Sequence, residues 1–192
     1  QELLAVLPKA VIFVELTGIR LRFDADGAGA VLLPRRGDTR FEDFVTVAAA
    51  ALGQSGGAYE TEIQIYRTDS EEMADSVSFG GELIYDLTFA DEKTILAVGE
   101  QHARWYSTAG EQLGSYDYSD YYLKDFDFGG SGFLTLVLNM YQAGNRYQVT
   151  TVGAAGEALG SLDFDEQILD FSAAGKYVAV LTAGQLRIYD NT

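Results

Sequence analysis

The heptapeptide AGEQLGS (Ala109–Ser115) recurs almost unchanged 46 residues later as AGEALGS (Ala155–Ser161). A glycine in a polar step between two apolar runs is the chemistry of a tight hairpin, because glycine takes the positive φ that other residues avoid. A chain that needs one hairpin twice, at a set distance, is built from repeated units. This constraint is stronger than anything composition imposes.

Two further markers give the period. An aromatic residue or valine closes a strand ahead of a polar turn at Phe23, Tyr66, Tyr106, Val152 and Tyr189, in steps of 43, 40, 46 and 37. An acid followed by an apolar residue stands at Asp43-Phe44, Asp86-Leu87, Asp125-Phe126 and Asp170-Phe171, in steps of 43, 39 and 45. A recurrence of about 40–45 residues is the length of a four-stranded propeller blade. Each later unit divides into four short strands separated by polar or glycine-rich turns. The last unit shows three strands and then the chain stops.

The expected fold is therefore all-β: one β-propeller domain over 1–192, of about five four-stranded blades, the last incomplete. Approximate blade bounds are 1–39, 40–82, 83–121, 122–166 and 167–192. Such a piece either closes a small ring or forms the C-terminal part of a larger propeller. The first two units fit least well. No glycine or proline divides the run from Phe44 to Leu52, and Ala48–Leu52 reads as a helical turn.

The stretch LIYDLTFADEKTILAVGEQHARWYSTAGEQLGSYDY (Leu83–Tyr118) resembles WD40-like and quinoprotein-like propeller repeats, as do Ala174-Gly175-Lys176 and Tyr189-Asp190. The C-terminal half also resembles uncharacterised, membrane-anchored propeller proteins of Gram-positive gut bacteria. The resemblance runs from about Asp43 to Thr192. It implies an extracytoplasmic bacterial protein whose membrane anchor lies outside this chain. The Trp-Asp and Gly-His markers of true WD40 repeats are absent, and the shared motifs are architectural, not catalytic.

Charge narrows the partners. Thirteen Lys and Arg stand against 29 Asp and Glu, a formal charge of −16. Such a field repels phosphate backbones and anionic lipid surfaces, so nucleic acid is not an expected partner. With no cysteine, the chain has no thiol chemistry and no thiolate metal site. The run Leu3–Leu16 is too short to span a bilayer and reads as strand.

Few residues suggest chemistry. Gly53-Gln54-Ser55-Gly56-Gly57 matches G-x-S-x-G, but a nucleophile elbow requires a helix after it, and AYETEIQIYR alternates as a strand. His102 is the only histidine and is expected in a polar hairpin. Asp125 and Asp127 in DFDFGGSG, and DADG at Asp24–Gly27, resemble fragments of calcium loops. Asp125 and Asp127 form the better calcium candidate, although Gly129 takes the third ligand place. Arg36-Gly37-Asp38 is ordinary turn chemistry. No catalytic constellation and no cofactor pattern emerges, so a non-enzyme is expected.

Alternating strand directions place the B–C and D–A loops of a blade on one face, with A the innermost strand. That face would carry Tyr59, His102, Tyr121, Tyr122, Tyr141, Asn145, Arg146 and Asp163, with Tyr121 and Tyr122 in the crossover between blades. Tyrosine supplies large contact area at low entropy cost, and Asp attracts cationic or hydroxylated groups. The expected function is a non-catalytic scaffold that binds a protein or peptide. Alternatives are a carbohydrate-binding or carbohydrate-processing propeller and a calcium-stabilised surface module.

Overall fold

The computed structural model describes residues 11–16, 19–23, 30–34, 46–55, 58–67, 73–91, 93–140 and 146–191, and among them there are strands and turns but no helix. The chain divides into two compact units, 1–99 with 106–112, and 100–105 with 113–192.

The first unit holds β1 (Val11–Leu16), β2 (Ile19–Phe23), β3 (Ala30–Pro34), β4 (Thr46–Ser55), β5 (Ala58–Arg67) and β6 (Met73–Gly80). They form a single antiparallel sheet in the order β3-β2-β1-β4-β5-β6. The strands of the first two sequence units thus share one six-stranded sheet, where two quartets were expected. Ala48–Leu52 is not a helical turn. It lies mid-strand, paired from Ala48↔Ile65 to Leu52↔Thr61. Alanine's helix preference amounts to a few tenths of a kcal/mol per residue, and a ten-residue ladder overrides it.

A second sheet, β7 (Ile84–Asp91), β8 (Thr94–Gly99), β9 (His102–Ser107) and β10 (Gln112–Asp117), runs in the order β10-β9-β8-β7 and contributes to both units. The core of the first unit gathers Ala50, Ile63, Ile65, Phe79, Ile84, Leu87, Ile95, Ala97 and Tyr106.

The second unit adds a quartet, β11 (Tyr121–Asp127), β12 (Phe133–Met140), β13 (Tyr147–Gly153) and β14 (Ala158–Phe164). A triplet follows, β15 (Ile168–Ala174), β16 (Tyr177–Thr182) and β17 (Leu186–Asp190), so the last sheet has the three strands its sequence predicts. Phe133, Val137, Tyr147, Val149 and Phe164 of the quartet pack on Ile168, Ala173, Val178 and Val180 of the triplet. Each large apolar side chain so buried contributes about 1.5–3 kcal/mol. Phe133–Leu138 is buried at every residue, whereas β16 alternates between exposed and buried, because only one of its faces is covered.

Two of the three sequence markers acquire a physical cause. At the acid marker, β7, β11 and β15 each carry a register shift, between Ile84 and Asp86, Leu123 and Asp125, and Ile168 and Asp170. In all three the carboxylate Oδ1 accepts the next residue's backbone N–H at 2.9 Å. The acid is the side chain that holds a β-bulge. At the heptapeptide, Gly110 and Gly156 take φ of 78° and 82°. Gly110 N–H donates to the Ser107 carbonyl at 3.0 Å and Ser107 N–H to that of Glu111 at 2.7 Å. Gly156 and Gly153 repeat the pattern at 3.0 and 2.9 Å. This is a three-residue hairpin with a glycine bulge.

Within the second unit the quartet and the triplet meet at several places. Asp127 Oδ2 accepts the Ala173 N–H at 2.7 Å, and Gly130 bridges Gly175. Lys124 Nζ donates to the Ile168 carbonyl at 3.1 Å and lies 4.6 Å from the centre of the Tyr147 ring. Thr151 Oγ1 donates to Asn191 Oδ1 at 2.5 Å.

Candidate functional site

The starts of β11 and β13 and the ends of β12 and β14 share one end of the quartet, as antiparallel pairing requires. Here the quartet brings together Tyr121, Tyr122, Arg146 and Asp163. Tyr121 and Tyr122 are not crossover residues. They open β11, opposite Met140 and Asn139, because Tyr121 N–H donates to the Tyr118 carbonyl at 2.9 Å and closes the turn just before them. Tyr122 is 57% exposed, and Tyr121 is half-buried. Arg146 leads into β13, with its Nε 3.8 Å from Asp165 Oδ1. Tyr141 and Asn145 lie outside the described residues, as do Asp24–Gly27, Arg36-Gly37-Asp38 and Asp43-Phe44.

His102 and Gln148 occupy equivalent positions on the third strands of successive sheets, as Asp117 and Asp163 do on the fourth. His102 Nε2 stands 3.8 Å from Asp117 Oδ1 across β9 and β10. Forty-six residues on, Gln148 Nε2 donates to Asp163 Oδ1 at 3.0 Å across β13 and β14. The histidine thus fills the place of an amide in a cross-strand pair. Asp117 and Gln148 escaped the sequence reading, and the 46-residue offset was the signal that could have found them. Asp117 is held below its ordinary value of 3.8, first by the Ser119 backbone N–H, then by the Ser119 side chain, with smaller help from His102 and Arg104. The Asp117 Oδ1 to Ser119 N–H distance is 2.8 Å.

Tyr116 lies beneath this end of the unit. Burial raises its phenol pKa, a hydrogen bond with Thr150 works against that, and Tyr121 adds to the rise. Thr150 Oγ1 in turn lies 2.9 Å from Ser161 Oγ and 3.2 Å from Gln148 Oε1. Tyr116 thus joins a polar network of Thr150, Ser161 and Gln148.

Other candidates have structural duties. Asp125 Oδ1 accepts the Phe126 N–H, and Asp127 gives its two oxygens to Gly129 and Ala173. Among the described residues no cluster of three metal-ligating side chains forms. Gly53–Ser55 ends β4, opposite Glu60, Tyr59 and Ala58 of β5, so the serine is followed by a strand and no elbow forms. Tyr59 itself lies in β5, in the first unit. Among the described residues no helix is long and apolar enough to cross a membrane.

Residues 42–192 match a family of unknown function, DUF5711. No functionally curated protein matches the sequence. Among solved structures, the C-terminal WD40 domain of Sif2 is similar with a TM-score of 0.51 at 8% identity, over 91% of this chain and 53% of that one. Kuenenia stuttgartiensis hydrazine synthase gives 0.52 at 14% identity, over 85% and 49%. The Pan2 WD40 domain of Neurospora crassa gives 0.47 at 14% identity, over 76% and 43%. The chain spans about half the length of these structures. Such identities speak to fold alone, and the fold is a partial β-propeller. Since the family match takes in most of its length, the chain belongs to DUF5711, a family of unknown function.

Proposed function

We propose that this protein is a non-catalytic interaction scaffold that holds a protein or peptide partner at the loop end of the second unit. One observation supports the reading above the rest. Tyr122 is 57% exposed at the start of β11, in a sequence neighbourhood that carries Asp117 and Asp120. An exposed aromatic on a rigid strand, with carboxylates around it, suits a peptide that presents Lys or Arg. The reading includes an extracytoplasmic setting, supported by the resemblance to membrane-anchored propeller proteins.

A peptide array probed with the labelled protein tests it. Lys- and Arg-bearing spots should retain the protein, and Tyr122→Ala should lower their signal by about tenfold, as loss of an aromatic anchor does. The melting temperature should not move. A blank array, or equal signal from the variant, contradicts the reading.

A further inference from the structure

One row of side chains crosses the loop end of the quartet. Tyr122 stands opposite Asn139, Asn139 opposite Tyr147, and Tyr147 opposite Phe164. Residues paired directly across antiparallel strands project from the same face, with Cβ atoms about 5 Å apart. Tyr147 and Phe164 are buried, Asn139 is half-buried, and Tyr122 is exposed. The chain's own cations already use the buried rings. Lys124 Nζ lies 4.6 Å from the centre of the Tyr147 ring, and Arg187 Cζ lies 5.9 Å from that of Phe164. Rings of this row thus take cations on their faces.

Asn139 is the polar member of the row, and its carboxamide makes no hydrogen bond among the described residues. The repeat does not call for an amide here. Ile84, Leu123 and Ile168 each stand two residues before the acid marker, opposite Gly99, Leu138 and Thr182. The residues after those partners are Glu100, Asn139 and Ala183. A carboxamide both donates and accepts, so it matches the C=O and N–H of one extended peptide backbone. A Lys or Arg side chain offers donors only, and would use half of it.

We propose that Asn139 is a second contact of the Tyr122 site and grips the backbone of the partner peptide beside its cationic residue. The inference rests on the scaffold reading above. It narrows the partner to an extended peptide, as opposed to any molecule that carries a cation. Lys124 sets the orientation. It follows Tyr122 by two residues on β11, and its ammonium is turned to the Ile168 carbonyl at 3.1 Å and to the Tyr147 ring. Like charges repel, so the partner's cation lies on the other flank of Tyr122, toward the turn that carries Asp117 and Asp120.

Two probes separate backbone from cation. One is a decapeptide of Gly and Ser with a single central Arg. The other is propylguanidinium, the same cation with no peptide bond. Each is titrated into the isotope-labelled full chain, and NMR follows the Tyr122 backbone amide and the Asn139 side-chain NH2. The peptide should shift both signals, and propylguanidinium should leave the Asn139 signal in place. Asn139→Leu keeps the size of the side chain and should weaken the peptide about fivefold, as loss of one backbone hydrogen-bond partner does, while leaving propylguanidinium unchanged. Should Asn139→Leu not fold, Asn139→Ala serves in its place. The proposal is overturned if the Asn139 signal answers both probes alike, if the variant binds the peptide as tightly as the wild type, or if it weakens both probes equally. In these cases the Tyr122 reading still stands. If neither probe binds the wild type, the scaffold reading itself fails and takes this inference with it.

Discussion

Gly156 lies so close to Ser115 that a Cβ built on the glycine would fall on the serine backbone. The neighbouring pair is equally tight, since a Cβ on Gly114 would stand 2.5 Å from the Ala155 carbonyl carbon. The end of one AGE-x-LGS copy thus rests on the start of the next. The heptapeptide recurs for two reasons: each copy turns a hairpin, and consecutive copies pack against each other.

Two glycines separate these effects. Gly156 and Gly132 have nearly the same φ, 82° and 80°, but a Cβ on Gly132 would meet nothing within 4 Å. Gly132→Ala should therefore cost only backbone strain, about 1 kcal/mol. Gly156→Ala adds a clash with backbone and should cost roughly 2–4 kcal/mol. Urea unfolding of both variants checks the difference.

Asp127 joins two sheets by accepting from Gly129 and, 46 residues on, Ala173. Asp127→Ala should destabilise by about 1–3 kcal/mol because it leaves an interior N–H without an acceptor. Asp127→Asn keeps one acceptor oxygen and should cost less. Since both carboxylate oxygens are engaged, a chelator should leave the melting midpoint of the wild type unchanged. A fall of several degrees would instead revive the calcium reading.

Thr135 is fully buried, and its Oγ1 has no hydrogen-bond partner among the described residues. Thr135→Val keeps the shape and removes the unsatisfied hydroxyl. It should stabilise the chain by about 1 kcal/mol, measured by thermal or urea melts.

Asp117 gives a pH signature. Its carboxyl titrates lower in the fold than in the unfolded chain, chiefly through the Ser119 hydrogen bonds. Its contribution is complete above the unfolded value of about 4 and is lost as pH falls through the lower folded value. Asp117→Asn should therefore flatten part of the loss of stability below about pH 4 and leave the neutral region nearly level. Stability measured from pH 2 to 7 on both proteins decides it.

Where structure follows local chemistry, the sequence was readable. The hairpins at Gly110 and Gly156 announce themselves because a positive φ needs glycine at that place. The period of the acid marker was visible, but its cause was not, because a bulge depends on the partner strand's register. Ala48–Leu52 misled because alanine is neutral enough to follow whatever ladder forms beside it, and β1 and β5 supply that ladder. At the site, His102 and Asp163 read as loop residues in the sequence, and the structure places them in β9 and β14. Their pairing with Asp117 and Gln148 was not legible, because each pair spans two strands joined only by register.

The central claim is that within the second unit the quartet β11–β14 packs on the triplet β15–β17, and the cysteine-free sequence offers a direct test. Thr151 and Asn191, 40 residues apart, meet at 2.5 Å between side-chain oxygens. The double variant Thr151→Cys, Asn191→Cys should form an intramolecular disulfide under mild oxidation, seen by mass spectrometry as loss of two hydrogens in a monomer. If both thiols stay open to alkylation under the same conditions, the stacking described here is wrong.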